Sequence, residues 1–395
     1  MKQSMMKKLW GLVVLFSLSM CLTSCEDVLG HWEKPTPPEC TVTSISLDKT
    51  SLVLYIDGGE NTATLKPTLV GDPGLDQVVF SSRRPWVATV DEETGEVTAV
   101  DGGETTITAS IGDLYVDCEV KVYHKLHDIN TGDANIPANE QWEIIGTSDT
   151  YKITIADEAT AVLNGVTINS TTGSCIETSG TTGSNIILVD GTTNTMTTTH
   201  NGSAAINTAF GPLNIFGQTA GTGKLEANGG ASGAGIGGSL NGNFKAIVIM
   251  GGEIEANGGN GAAGIGSGYF SDAATSSYTN GDITISGGTV TATGKGGGAG
   301  IGTGESDNGT YAASCGSIKI EKTVVSVTAQ KSTGANCIGK GFGNVLQHPI
   351  YFGTEKVTND DGDYTITITD GTYPHSDGDM TLAISGDTWT LTPTN

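Results

Sequence analysis

The sequence predicts an all-β protein in two parts, a small antiparallel β-sandwich and then a longer parallel β-helix. Three observations carry that expectation. Residues 41–123 hold short alternating apolar stretches separated by turn signals. From about residue 127 onward a small-small-Ile unit recurs, with isoleucines at 176, 206, 236, 265, 301 and 338. No segment after the N-terminal apolar run has the helical period. Glycine agrees with this, at 58 of 395 residues, roughly twice the usual share and without the every-third spacing of a collagen chain.

The chain opens with an address. Met1–Lys8 carries three lysines, and the apolar run Leu9–Phe16 that follows is too short to span a bilayer. Leu22-Thr23-Ser24-Cys25 resembles the lipobox of bacterial lipoproteins. That resemblance implies cleavage after residue 24, lipid on Cys25 and anchorage in the outer membrane, stable because such a cysteine carries more than one acyl chain. Glu26-Asp27 is similar to the acidic signal that sends some lipoproteins to the cell surface. Removal of residues 1–24 leaves 16 basic against 43 acidic residues, a net charge of −27 in place of −24. With two arginines in all, Arg83 and Arg84, such a chain is a poor partner for nucleic acid. Residues 25–40, with Pro35, Pro37 and Pro38, read as a stiff linker.

The first domain, residues 41–123, alternates in the manner of an antiparallel sandwich, for example Leu52-Val53-Leu54-Tyr55-Ile56 before the turn Asp57-Gly58-Gly59. The run Ser81-Ser82, Trp86-Val87-Ala88-Thr89-Val90-Asp91, Gly95-Glu96-Val97-Thr98-Ala99-Val100 and Gly103–Ala109 resembles bacterial Ig-like group 2 domains. The resemblance implies a stalk or spacer, with Arg83-Arg84 a solvated pair on a sandwich edge. First and last strands lie near each other in such sandwiches, so a Cys40–Cys118 disulfide is expected, stabilising by on the order of 4 kcal/mol in the chain-entropy model. Cys175, Cys315 and Cys337 have no assigned pairing.

The second part, residues 127–345, repeats three short elements per turn. The isoleucine spacings are 30, 30, 29, 36 and 37 residues, with companion units such as Ile247-Val248-Ile249 and Ile254-Glu255-Ala256 between them. Stacked coils place equivalent strands about 4.8 Å apart, so columns of Ile and Ala fill the interior while Glu226, Glu255, Thr291 and Thr328 point outward. Trp142 and the Tyr151–Ile155 run are expected to cap the first coil, and residues 346–395 to form a terminal β cap. Ala161–Ile168, Asn185–Thr192 and the Gly-Ala-Gly-Ile-Gly copies resemble a carbohydrate-binding β-helix family of bacterial surface proteins. That family implies a right-handed, pectate-lyase-like fold that binds polysaccharide, with calcium in some members.

Candidate ligand contacts are Phe244, Tyr269, Phe270, Tyr278 and Tyr311, which leave one corner of successive coils and are expected to stack as a sugar-binding face. Glu226 and Glu255 are equivalent positions one coil apart. They form a candidate carboxylate dyad or weak cation site. Asp360, Asp361 and Asp363, with Asp307-Asn308-Gly309, are the candidate calcium ligands; no other cofactor is expected. The histidines have no zinc spacing. No arginine lies in the solenoid to serve as a lyase base. The expected function is a surface lipoprotein that binds polysaccharide without cleaving it. The alternatives are a polysaccharide lyase or glycoside hydrolase, and an adhesin for a protein.

Overall fold

A computed structural model describes residues 39–271, 278–307, 313–332, 334–343, 349–358, 371–373 and 380–393. These form strands and turns, with no helix among the described residues.

The N-terminal part is the expected sandwich. Its core packs Leu52, Leu54, Leu65, Phe80, Val97, Ile107, Cys118, Val120 and Val122 from alternate positions of facing strands. Period-2 alternation puts these side chains on one side and the polar ones outside. The second part is a parallel β-helix of three faces, each built from one short strand per coil. On the first face the inner column is Ala161, Ile186, Ile215, Ile249, Ile285, Ile320 and Phe352. On the second it ends as Met196, Ala227, Ala256, Ala292 and Ala329. On the third it is Ile153, Ile176, Ile206, Ile236, Ile265, Ile301 and Ile338. All are fully buried, and each large aliphatic side chain so removed from water stabilises by about 1.5–3 kcal/mol. Among the buried polar residues of the second face is Asn194, which accepts from Val166 N at 2.9 Å and donates to Lys224 O at 3.1 Å, so its amide is satisfied.

Glycine is required where coils turn after the third face. Gly237, Gly266, Gly302 and Gly339 stack on one another at φ of +127° to +138°. A Cβ on Gly266 would lie 1.7 Å from the carbonyl oxygen of Gly302. Both the conformation and the neighbour therefore exclude a side chain.

The strand Leu114–Asp128 joins the two parts without a break. Residues 114–122 pair antiparallel with 103–111 in the sandwich, and Lys125–Asp128 pair parallel with Trp142–Ile145 of the first coil. The first coil is thus capped by the sandwich's last strand, and the Trp142 segment expected to be the cap is itself the first rung. Side chains pin the junction. Tyr55 donates to Glu143 Oε2 at 2.5 Å, Asn164 donates to Glu143 Oε1 at 2.6 Å, and Lys125 Nζ sits 4.6 Å over the Trp142 ring and 3.6 Å from Asp57. His124 accepts from Gln141 N at 3.0 Å while its other ring nitrogen meets Asp101 at 3.1 Å. At the far end, Thr388–Pro393 pairs antiparallel with Ser326–Gln330 and covers the last rung of the second face.

Two predictions follow from these contacts. Gly266→Ala should cost at least the roughly 1–3 kcal/mol of a strained backbone position, whereas Gly165→Ala, at φ +73° with nothing within 4 Å of the new Cβ, should cost less; denaturant melts of the two variants decide it. Burial, then the hydrogen bond to the Glu143 carboxylate, raises the Tyr55 phenol above its ordinary 10.0, and burial pushes Tyr123 up to about 12. Both phenols keep their protons in the folded chain where the unfolded chain loses them. Their contribution is complete below pH 10 and declines as pH rises beyond it. Tyr55→Phe should therefore show a shallower loss of melting temperature above about pH 10 than the parent.

Candidate functional site

The loop corner does stack, but its register sorts the expected contact residues differently. Counting from the column isoleucine, Leu240, Tyr269, Glu305 and Phe342 are all the fourth residue, and Asn241, Phe270 and Ser306 the fifth. Backbone bonds fix this alignment: Asn241 N to Tyr269 O, Phe270 N to Glu305 O, and Ser306 N to Phe342 O. Phe270 is fully buried, bridged to Ser306, and Phe244 is fully buried as well. Neither presents a ring to a sugar, which corrects the expectation for both; Phe244 packs into the solenoid core. Tyr269 is half-buried and its hydroxyl donates to Asp307. The Tyr278–Thr279 backbone pairs with Ala313–Ser314. The Tyr278 side chain, and Tyr311, Asp360, Asp361, Asp363 and Cys25, lie outside the described residues.

Glu226 and Glu255 are register partners, as expected. Lys224 Nζ lies 2.9 Å from Glu226 and 3.6 Å from Glu255, bridging the two. The hydrogen bond to Glu226 raises the lysine's pKa. Asn257 donates to Glu255 at 3.3 Å and to Asn228 at 3.0 Å. The pair is one stretch of a ladder of Thr, Glu and Asn along the second face. Among the described residues no cluster of three or more His, Cys, Asp or Glu is placed to hold a metal ion.

The Cys40–Cys118 disulfide is not formed. Cys40 is exposed beside Thr41, which bonds Asp72, whereas Cys118 points into the sandwich core. Burial pushes its thiol up to about 11. The position before the column isoleucine runs Lys152, Cys175, Ala205, Gly235, Gly264, Gly300 and Cys337, and the three glycines have no room for a Cβ. The Cys175 and Cys337 thiols donate to Thr197 O and Asp387 O, each at 3.2 Å, and burial raises both.

A concavity lies elsewhere, between the sandwich and the outer side of the first face. It has three adjoining lobes of about 600, 340 and 280 Å³, which share Glu104, Glu119, Lys121, Tyr123, Gln218 and Thr219 among their walls. The floor is a pair of columns. Gln141, Thr160 and Asn185 form one, continued beyond the lobe by Asn214, which donates to Asn185 at 3.0 Å. Glu143, Val162, Ile187 and Phe216 form the other; Glu143 and Val162 are buried beneath the sandwich while Ile187 and Phe216 are half-open. The opposite wall carries Lys121, ion-paired to Glu104 at 3.2 Å, and the two arginines. Both arginines are exposed, as expected of a solvated pair on a sandwich edge; what the expectation left out is that this edge faces the solenoid, with Thr219 on the same lobe. One sequence signal was available: residues 120–129 contain neither Gly nor Pro, so no linker separates the parts.

Residues 41–120 match the bacterial Ig-like domain (group 2) family, and residues 247–269 and 283–305 match the β-helix repeat family. The chain thus carries an Ig-like group 2 match followed by β-helix repeat matches, in the order in which the structure places the sandwich and the solenoid. Among solved structures it is similar to domains 4 and 5 of the S-layer protein SbsC, at 28% identity and a TM-score of 0.18, over 21% of this chain and 53% of that one. The similarity thus spans about half of that chain. No curated protein matches.

Proposed function

We propose that the protein is an outer-membrane lipoprotein, anchored through Cys25 and displayed at the cell surface, which binds polysaccharide in the cleft between its two parts without cleaving it. The observation that carries this reading is the floor of the cleft. Amide and hydroxyl side chains repeat there at one coil per step, about 4.8 Å, beside the apolar strip of Ile187 and Phe216. An extended glycan also repeats its hydroxyls once per ring, at a similar rise. A sugar chain lying along the solenoid axis would thus meet the same pair of contacts on each coil: an amide for its hydroxyls and an apolar surface for its ring face. In this reading the Ig-like domain is a wall of the site as well as a spacer from the membrane. Binding without cleavage is favoured because, of the cleft's three carboxylates, Glu143 has both oxygens engaged and Glu104 is paired with Lys121, which leaves Glu119 without a second free carboxylate for a catalytic pair.

A glycan array should return a polymeric ligand, and Phe216→Ala should weaken its binding by about tenfold or more without lowering the melting temperature. Glu226→Gln, on a different face, should leave binding unchanged. Shortened products in a digest of the bound polymer would replace this reading with the enzymatic one. For the anchor, labelled fatty acid should be incorporated by the parent chain and not by Cys25→Ala.

A further inference from the structure

We infer that the glycan held in the cleft is an anionic one, and that Arg83 and Arg84 take the negatively charged group on its sugar; this rests on the cleft being the polysaccharide site. The chain has 43 acidic residues and two arginines, and both arginines line the 340 Å³ lobe together with Thr219 of the solenoid. Backbone bonds hold the turn that carries them. Arg83 N donates to Thr106 O at 3.0 Å, and Arg84 N to the Thr105 hydroxyl at 2.9 Å. Arg84 Nη1 donates to the Glu104 carbonyl at 3.2 Å, which aims that guanidinium without neutralising it. The Glu104 carboxylate is already paired with Lys121. Neither arginine has a carboxylate within ion-pairing distance among the described residues, whereas Lys121, Lys125, Lys152, Lys224, Lys319 and Lys331 each have one.

In so acidic a chain, two adjacent unneutralised guanidinium groups at a cleft are a site for an oxyanion, which a guanidinium binds through two parallel hydrogen bonds. Two residues on, the Trp86 ring is 65% exposed in the same turn, an apolar surface beside the charges. The overall negative charge does not oppose this at contact range. At physiological salt charges are screened beyond about 8 Å, so distant carboxylates count little against a guanidinium in contact.

The test compares the full-length parent, Arg83→Ala/Arg84→Ala and Arg83→Lys/Arg84→Lys for binding to dextran, dextran sulfate and alginate. Dextran and its sulfate share a backbone, and alginate carries carboxylate, so the three identify the charged group. The parent is expected to prefer one or both anionic polymers over dextran, with affinity falling as salt is raised. The alanine pair should lose about tenfold or more on that polymer, and the lysine pair should recover part of it. An unchanged affinity of the alanine pair for the anionic polymers, or a parent that binds dextran alone, overturns the inference and leaves the cleft reading standing if Phe216→Ala still weakens binding. A parent that binds no polysaccharide, on these polymers or on the array, overturns the cleft reading itself.

Discussion

The unbroken strand Leu114–Asp128 is the constraint on which the rest of the architecture depends. A β-helix has an open first rung whose backbone donors and acceptors need partners. Here they are met by the tail of a sandwich strand, and not by a separate cap. Because a strand is stiff along its length and its pairing register admits no rotation, the hydrogen bonds that close the rung also fix the sandwich against the solenoid. Tyr55, Asp57 and Asp101 then reach across to Glu143, Lys125 and His124, which turns a pairing of main chains into a locked joint. The cleft exists because that joint holds the sandwich over the outer side of the first face.

The same stacking rule governs the interior. Each coil must present an equivalent residue to the coils on either side, so a change in one coil is felt by two neighbours. This is why Gly237, Gly266, Gly302 and Gly339 form a column after the isoleucines, and why Gly235, Gly264 and Gly300 form another before them. At Gly264 an added Cβ would meet Thr293 N at 2.6 Å. Outside that run of three rungs the same position carries a side chain: Cys175 and Ala205 before it, Cys337 after it.

Legibility in the sequence followed the same division. The isoleucine columns and the two-part order were readable because they depend on local alternation and on a repeat that is visible by eye. The aromatic corner was read without its phase: Phe244, Tyr269 and Phe270 were all expected to face a ligand, and of these only Tyr269 is not fully buried. In extended chain a shift of one exchanges inside for outside, so Phe270 lies in the core while its neighbour Tyr269 reaches solvent. Nothing in composition supplies that phase; it comes from aligning Tyr269 with Leu240 and Phe342 through the column isoleucines. The cleft was hidden for a different reason. Phe216 and Ile187 read as ordinary outward positions, and only the pairing of residues 125–128 with 142–145 brings Lys121 and the arginine turn opposite them.

Charge shows the same dependence on placement. A net charge of −24 argues against acidic ligands only if the charge is spread evenly, and it is not. The lysines of the strands are largely matched to carboxylates on the same or an adjacent rung, as Lys224 is to Glu226 and Glu255. Those pairs are solvated and worth little individually, but they remove the cations from the pool available to a ligand. Arg83 and Arg84 are left out of this matching by the turn that holds them, and the joint carries that turn to the rim of the cleft. The solenoid's lack of arginine, which argues against a lyase base within the coils, therefore does not describe the site: its cationic wall is supplied by the neighbouring domain.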